Sequence, residues 1–384
     1  MKTLILSDLH LGSSSHADLL RRPDIRASLL EALTGVDRVV LLGDVLELRH
    51  GPSRDAMKAA EGFFVDLGRT LGDRELIITA GNHDHALVEP WLSARGEVSA
   101  PGPLGLEELL DPAQVSPATR RIAELCSPAR VRVAYPGLWV REDVYAMHGH
   151  YLDCHMTVPT LERLSFGAMS RLLRRPASGF ATVEDYEAIG APVFAWRDAV
   201  ARDARTGAAL NGVATVAAWR ALGGGGSNGS VASRGRPRQM LADARIGLRV
   251  KALKGAFPLA VGALNRAGLG PLKPDISASE LRRAGLEAMG EVAARIGLGD
   301  AHVVFGHTHR AGPFPGDEDR EWKGRAGARL VNCGSWTYAS IFFNGAGSES
   351  PYWPGVCVVV EDSGPPRLMR LLTDRTELEL KPTV

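Results

Sequence analysis

Five short polar clusters, each placed directly after an apolar run, constrain the fold of this chain most strongly. Apolar runs of this length are typical of buried strands, so each cluster is expected where a strand ends and a loop begins. Seven oxygen- or nitrogen-bearing side chains delivered in this way are enough to hold two metal ions side by side. In chain order the clusters are Asp8-Leu9-His10, Gly43-Asp44, Gly81-Asn82-His83-Asp84, His148-Gly149-His150 and Gly306-His307-Thr308-His309.

The N-terminal part of the chain, up to about residue 90, alternates predicted strands with predicted helices. Short runs rich in Leu, Ile and Val predict buried strands at Leu4–Leu6, Arg38–Leu42 and Glu75–Thr79. Apolar positions at helical spacing predict helices at Ala27–Leu33 and Ala56–Leu71. Alternation of strands and helices is typical of parallel β-α-β units, so we expect these strands to be parallel neighbours in one sheet.

Closely spaced strands follow Pro128 and predict a different kind of pairing. Turn residues at Pro136-Gly137 and Glu142-Asp143 separate these strands, and short turns are typical of antiparallel hairpins. The same pattern returns near the C-terminal end. The predicted strands are Val131–Tyr135, Leu138–Arg141, Val144–Met147, Val303–Phe305, Arg329–Asn332, Val356–Val360 and Arg367–Leu372.

Residues 151–299 lack the strand pattern and predict a helical insertion. Helical periodicity covers about 160–174, 194–222, 240–267 and 279–296, and a Gly/Ser-rich run at 223–230 predicts a flexible loop. The predicted organisation is a core formed by 1–150 and 300–384, with 151–299 as a helical cap. Because both ends of the cap lie beside polar clusters, we expect the cap to cover the site.

Bulk composition narrows the function only slightly. The chain has 384 residues, of which 45% are hydrophobic and 23% charged, and a formal net charge of +1, so no global charge favours a polyanionic partner. Its four cysteines form no C-x-x-C pair, which favours a reduced, cytoplasmic protein. No unbroken apolar stretch reaches the roughly 18 residues of a spanning helix, and no signal peptide is predicted.

The chemistry of the clustered side chains favours two transition-metal ions. Carboxylates combined with imidazoles suit Mn, Fe, Zn, Ni or Co better than Ca or Mg. Asp44 can bridge two cations with its two oxygens, and Asn82 can add a neutral carbonyl oxygen. Each cluster alone has an ordinary alternative, since Asp44 could cap a helix and Asn82 could serve a turn. The coincidence of all the clusters at strand ends favours the metal site.

The order of the clusters resembles the calcineurin-like metallophosphoesterase superfamily. The resemblance covers residues 1–150 and about 300–345, and the helical insertion lies outside it. It implies an α/β fold of two stacked mixed sheets flanked by helices, a four-layer sandwich, with a site for two divalent metal ions on the loops between the sheets. Manganese is the favoured ion. Every ligand position of the family pattern is filled. One ion would take Asp8, His10, Asp44 and His309, and the other would take Asp44, Asn82, His148 and His307.

The resemblance also implies hydrolysis of a phosphate monoester, diester or pyrophosphate by a hydroxide that bridges the two metals. His83 would act as the general acid toward the leaving oxygen, and Asp84, or the residue that makes the equivalent contact in the family, would orient and charge its imidazole. A supporting structural role is the alternative for His83. His148, as the first histidine of its pair, would bind metal, and His150 would contact the substrate phosphate or serve a structural role.

Other polar residues near the clusters are assigned to loops or to support. Glu47, His50 and His155 could face the site, but ordinary loop positions are favoured for them. Asn332 ends a late strand and is followed by Gly334-Ser335. This element resembles one of the same superfamily and predicts support of the site rather than a metal ligand.

A basic segment of the insertion bears on the class of substrate. Residues 234–273 contain nine Lys or Arg and one acid. Basic residues interleaved with apolar ones can bind a membrane surface or an anionic lipid, and a packed helix with a solvated basic face is the alternative. Asp8-Leu9-His10-Leu11 and Gly306-His307-Thr308-His309-Arg310 resemble the UDP-2,3-diacylglucosamine pyrophosphatase branch. That branch has arginine at the position of His83, however, and a much shorter insertion.

These features predict a phosphorylated small-molecule substrate, nucleotide- or lipid-linked, and peripheral membrane contact through 231–273. Nucleic acid is disfavoured, because aromatic residues that could stack on bases make up 6% of the chain. A nuclease and a non-catalytic scaffold with this fold are the alternatives. Degraded ligand positions would mark a scaffold, and none is degraded here.

Overall fold

The chain folds around a mixed, strongly curled β-sheet with helices on its flanks, which is an α/β fold. The structure is a computed structural model that describes residues 1–97, 102–202, 257–343 and 345–382. The strands among these residues are β1 (Thr3–Leu6), β2 (Arg38–Leu42), β3 (Glu75–Thr79), β4 (Glu107–Leu110), β5 (Arg130–Arg141), β6 (Val144–Met147), β7 (His302–Phe305), β8 (Arg329–Asn332), β9 (Val356–Val360) and β10 (Arg367–Arg370). The α-helices are α1 (Pro23–Ala32), α2 (Ser53–Leu71), α3 (Glu89–Gly96), α4 (Pro112–Val115), α5 (Pro117–Leu125), α6 (Leu161–Leu172), α7 (Val183–Arg202), α8 (Ala278–Arg295) and α9 (Glu377–Leu380). Residues 257–266 are also helical.

The strand order is β10-β9-β1-β2-β3-β5-β6-β7-β8, and β4 pairs with β5 outside this path. β1, β2 and β3 are parallel neighbours, with Leu4 beside Val39 and Val40 beside Ile77. Helices α1 and α2 connect these strands, so the predicted β-α-β organisation is confirmed. β1 and β2 are buried along their whole length, which explains their near-continuous apolar sequence.

β5 is one continuous strand, so the predicted turn at Pro136-Gly137 is wrong. The first half of β5 pairs in parallel with β3, and the second half pairs antiparallel with β6. Pro136 lies opposite Glu107 of β4, and Gly137 lies opposite Met147 of β6. A Cβ at Gly137 would lie 2.4 Å from the carbonyl oxygen of Ala146. Pro136 and Gly137 therefore lie where β5 changes its pairing partners and packs closely against β6, and the chain does not reverse there.

The last strands combine parallel and antiparallel pairing. β6, β7 and β8 are parallel neighbours, so the predicted antiparallel pairing is wrong for them. The chain returns between them through long connections, 148–301 and 306–328, and parallel strands require such crossovers. β5 and β6 pair antiparallel, as do β9 and β10, which confirms the prediction for those two hairpins.

Two apolar clusters lie on opposite faces of the curled sheet. The smaller cluster contains Ile5 and Val40 from the first part of the sheet, together with Ala146, Val304 and Val331 from the second part. Alternate residues of the same strands belong to the larger cluster, which also contains the buried faces of the helices. Side chains from both parts of the sheet therefore meet across the smaller cluster.

Within 151–202 and 257–299, the described parts of the predicted insertion, the chain forms helices and loops without strands. The helices predicted at 160–174 and 279–296 correspond to α6 and α8, whereas the helix predicted to begin at 194 begins at Val183. The predicted loop at 223–230 and most of the basic segment 231–273 lie outside the described residues. No helix within the described ranges is long and apolar enough to cross a membrane.

A buried carboxylate joins the insertion to the core. Glu187 of α7 accepts hydrogen bonds from the hydroxyls of Tyr135 and Tyr151, each at 2.5 Å, and lies 3.3 Å from His85 Nε2. Burial opposes ionisation, but His85 and the hydroxyls lower the pKa of Glu187. The position of α7 behind the Gly81-Asn82-His83-Asp84 loop is therefore specified by polar contacts as well as by apolar packing.

Candidate metal centre

Five of the seven predicted metal ligands occupy the left-handed backbone region, which residues other than glycine rarely adopt. They are Asp8 (φ 58°), His10 (φ 46°), Asp44 (φ 50°), His307 (φ 65°) and His309 (φ 58°). Backbone hydrogen bonds join the first two loops, from Asp8 N–H to Gly43 O at 3.2 Å and from His10 N–H to Asp44 O at 2.8 Å. Backbone strain of this kind is typical of functional sites, and here it is concentrated on the polar clusters.

Glycines in the clusters make room for ligand side chains of other loops. A Cβ at Gly81 would lie 2.2 Å from Asp44 Oδ1. A Cβ at Gly306 would lie 2.3 Å from Asp8 Oδ2. The G-N-H-D and G-H-T-H motifs therefore include glycine because a carboxylate from another strand end fills the space that a side chain would need.

Gly81→Ala is expected to disrupt the site, because the added methyl group would overlap the Asp44 carboxylate. Overpacking of this kind should lower the free energy of unfolding by about 1–3 kcal/mol and reduce the metal bound per chain. Urea unfolding and elemental analysis would measure the two effects. Gly62→Ala in α2 is the matched control, since its nearest neighbour, Arg26, is 3.5 Å away. Full metal content and unchanged stability of Gly81→Ala would contradict the close approach.

Asp8, His10 and His309 form the first group of side chains that could hold a cation, with ligand atoms within 4.8 Å of one another. His309 Nε2 lies 3.2 Å from Asp8 Oδ1 and 3.2 Å from His10 Nε2. Asp44 Oδ2 lies 3.6 Å from His10 Nε2. The loops after β1, β2 and β7 thus bring together the four residues that the resemblance implies for one ion.

Asp44, His148 and His307 form a second such group. Asp44 Oδ2 lies 3.3 Å from His148 Nε2. The Asn82 side-chain oxygen lies 3.1 Å from His148 Nε2 and 3.0 Å from His307 Nδ1. In the reverse amide orientation the nitrogen would donate to these atoms and the oxygen would accept from Arg49 at 3.1 Å. The first orientation offers an oxygen to a cation, so this group contains the four residues implied for the other ion.

The electrostatics of the two groups fit divalent cations. Asp8 is buried, and its Oδ1 makes no well-oriented hydrogen bond to any described residue. Burial opposes ionisation, yet the surrounding imidazoles hold the pKa of Asp8 and of Asp44 well below the ordinary value. Burial also opposes a charged His148, but Asp44 raises the pKa of His148 to about 9. Cations take ionised carboxylates and neutral imidazoles, so bound metal would replace the protons on these rings.

Glu47 links the predicted proton donor to a predicted metal ligand, although its position in the sequence favours an ordinary loop residue. Its Oε2 lies 2.9 Å from His83 Nδ1 and 3.0 Å from His10 Nδ1. Burial lowers the pKa of His83 to about 4, and Glu47 opposes this shift by favouring the charged ring. The available signal in the sequence is an acid three residues after Asp44, on the same loop.

The Asp84 carboxylate is hydrogen-bonded to backbone N–H groups, and Glu47 contacts the His83 ring instead, so the prediction that Asp84 orients that imidazole is wrong. Its carboxylate accepts hydrogen bonds from four backbone N–H groups, among them those of Gly81 at 2.6 Å and Val45 at 2.7 Å. Burial, together with neighbouring Asp44, raises the pKa of Asp84 to about 6. Because backbone donors surround its carboxylate, Asp84 ties two of the ligand-bearing loops together instead of orienting the proton donor.

A cleft of about 350 Å³ opens beside both ligand groups, and we call it the site cleft. Asp44, Asn82, His83, His307 and His309 line one end of it. Its volume lies near the lower limit of the roughly 300–1,000 Å³ that is usual for ligand sites. Side chains of the insertion line the remaining wall together with loops of the C-terminal core segment. The described part of the insertion therefore lies beside the site, and covering of the site by the cap stays a prediction.

His150 is buried behind His148 and away from the site cleft, which argues against the predicted contact with a substrate phosphate. Its side chain is 1% exposed, and its ring packs against Tyr151 and Phe194 with centroid separations of 4.7 and 5.2 Å. Neither ring nitrogen has a hydrogen-bond partner within the described ranges. Burial and the neighbouring imidazoles lower the pKa of His150. The buried position of His150 agrees with the structural role that was the alternative prediction for it.

The remaining polar residues singled out in the sequence lie around the site. His50 and His155 belong to neither ligand group, as their loop assignment predicts. Asn332 donates hydrogen bonds to Gly306 O at 2.8 Å and to Thr308 Oγ1 at 3.0 Å. Asn332 thus fixes the loop that carries His307 and His309, which agrees with a supporting role.

Comparisons with known proteins assign no family. No protein-family model matches the chain, and no curated protein matches it. Any functional assignment therefore depends on the residues of the site and their geometry.

Proposed function

We propose that this protein is a phosphoesterase of the calcineurin-like metallophosphoesterase superfamily that acts with two divalent cations. The observation that carries the proposal is the position of Asp44 between two buried groups of ligands, Asp8-His10-His309 and His148-His307 with Asn82. Paired cations in such a site are the usual means of hydrolysing phosphate esters. We also propose that the two parts of the curled sheet, which meet across the smaller apolar cluster, correspond to the two stacked sheets of that superfamily.

The ligand atoms fit manganese, with iron, zinc, nickel or cobalt as alternatives. Imidazole nitrogens favour transition metals, whereas carboxylate and amide oxygens suit manganese well. When bound, the two cations would supply a strong nucleophile at neutral pH and would neutralise charge on the phosphoryl oxygens. The protein contributes the buried, pre-formed arrangement of ligands around Asp44.

In this proposal His83 donates a proton to the leaving oxygen. Its backbone N–H donates to Asp44 Oδ1 at 2.7 Å, and its Nδ1 is held by Glu47, so Nε2 is the ring atom available for proton transfer. His83 lines the site cleft, where the leaving group would lie. A bound phosphoester adds negative charge beside the ring and thereby raises the pKa of His83, which favours the protonated form when substrate is present.

Hydrolysis of bis-4-nitrophenyl phosphate tests the proposal. Protein stripped with a chelator should be inactive, and activity should return as Mn²⁺ is added until about two ions are bound per chain. Release of 4-nitrophenolate and elemental analysis of the same samples would give turnover as a function of metal content. No turnover with two ions bound would favour the non-catalytic scaffold, and full turnover after stripping would contradict metal dependence.

A further inference from the structure

The wall of the site cleft away from the proposed metal ligands is formed mainly by apolar side chains. Leu281 and Leu286 project from α8, so the insertion supplies part of this wall. Leu286 and Trp322 are 6% and 4% exposed. Close packing holds such side chains in fixed conformations, so the wall is rigid at these positions. The apolar residues of the wall include Leu152, Met156, Leu281, Leu286, Trp322 and Tyr352.

The arginines of this wall are neutralised by neighbouring acids. Arg310 Nη2 lies 2.8 Å from an Asp317 oxygen, and Arg282 Nη1 lies 2.9 Å from a Glu321 oxygen. The Arg310 guanidinium also lies 5.4 Å from the centre of the Trp322 ring, which holds it along the wall. Neither arginine is therefore free to bind a second phosphate without breaking an existing ion pair.

The acids of the cleft have partners as well. Glu162 lies 2.9 Å from Arg197 Nη1, and Asp153 lies 3.0 Å from His307 Nε2. Away from the ligand groups, the described lining of the cleft thus consists mainly of apolar side chains and paired charges, with Thr160 and the indole Nε1 of Trp322 as uncharged polar groups. The ligand groups at one end of the cleft suit a phosphoryl group, and the apolar side chains at the other end suit an uncharged, apolar substituent.

We propose that the substrate is a phosphoester of a compact apolar alcohol, and that the site cleft binds its apolar group. The inference rests on the proposed function, because it places the phosphoryl group at the ligand end. Burial of apolar surface would favour binding of such a group, whereas the extra phosphates of a polyphosphate or the polar base of a nucleotide would lose hydration without finding partners. The cleft volume of about 350 Å³ limits the group to a small one.

Inhibition by phosphonates that differ in one substituent tests the inference. The same substrate is hydrolysed in every assay, and only the inhibitor changes. Mn-loaded protein would hydrolyse bis-4-nitrophenyl phosphate in the presence of methylphosphonate, 1-naphthylmethylphosphonate or uridine monophosphate. We expect the naphthylmethyl compound to inhibit about 10-fold to 100-fold more strongly than the methyl compound, because it buries more apolar area. Uridine monophosphate should inhibit no more strongly than methylphosphonate. Calorimetric titration should show a more negative heat-capacity change for the naphthylmethyl compound.

The outcomes separate the inference from the proposed function. Equal inhibition by the two phosphonates, with normal hydrolysis, would overturn the inference alone, and stronger inhibition by the nucleotide would do the same. Absence of hydrolysis with two ions bound would contradict the proposed function, while the calorimetric comparison would still report on the cleft.

Leu281→Gln should reduce the preference for the naphthylmethyl compound about tenfold and leave methylphosphonate binding unchanged, because it places a polar group on the apolar wall. Leu281→Ala, which adds no polar group, should reduce the preference by a smaller factor. Leu172→Gln is the matched control, since this α6 side chain is 74% exposed and does not line the cleft. An unchanged preference in both Leu281 variants, or an equal loss of binding for both phosphonates, would overturn the proposal.

Discussion

Under the proposed function, Asp44→Asn is expected to abolish hydrolysis, because it removes the carboxylate that the two cations would share. Asparagine tolerates the left-handed backbone of this position (φ 50°), and its side-chain oxygen can still accept the hydrogen bond from His83 N–H. The loop should therefore persist while the bridging charge is lost. We expect turnover of bis-4-nitrophenyl phosphate to fall by roughly a thousandfold or more, since the metals are worth several kcal/mol.

Elemental analysis should show that Asp44→Asn binds about one ion per chain or fewer. Asp66→Asn provides the matched control, because Asp66 is a partly exposed acid that pairs with Arg26 on the helical surface. The control should keep full metal content and turnover. Two tightly bound ions in Asp44→Asn would show that this carboxylate does not bridge them.

His83→Gln should slow turnover by a factor that depends on the leaving group. An alkoxide needs a proton as it departs, so hydrolysis of an alkyl phosphodiester should slow by about 10²–10⁴-fold. Release of 4-nitrophenolate, which is stable without a proton, should change much less. Metal content should not change, because the variant leaves both implied ligand sets intact. The ratio of the two rates, measured on Mn-loaded protein, is the decisive quantity.

Glu47→Gln should change this ratio in the same direction and by a smaller factor, since Glu47 holds His83 Nδ1 without touching the leaving group. His302→Gln, at the half-buried start of β7 and outside both ligand groups, should behave like the unmodified protein. Equal slowing with both leaving groups, accompanied by loss of metal, would instead make His83 a ligand. The geometry offers that alternative, because His83 also lies within ligand distance of His10 and Asp44.

The spatial grouping of the seven proposed ligands could be predicted because each belongs to a short motif that follows a strand. Asp8 follows β1, Asp44 follows β2, and His307 follows β7. Apolar runs identified these strands independently of the motifs, and parallel neighbours bring their carboxyl ends to one edge. The left-handed backbone of these residues could not be predicted, since aspartate and histidine seldom adopt it.

Contacts between loops were harder to predict than the loops themselves. Adjacent positions in the sequence suggested Asp84 as the partner of His83, but four backbone N–H groups surround the Asp84 carboxylate, and Glu47 from another loop takes its place. The turn predicted at Pro136-Gly137 was wrong for a similar reason. Local turn preference was outweighed by pairing with two different strands, which depends on residues distant in the sequence.

Anomalous diffraction from crystals of the Mn-loaded protein would show whether two cations share Asp44. We expect two manganese peaks roughly 3.5–4 Å apart, with Asp44 bound to both. Asp8, His10 and His309 should surround one peak, and Asn82, His148 and His307 should surround the other. A single peak, or two peaks with Asp44 bound to neither, would contradict this expectation.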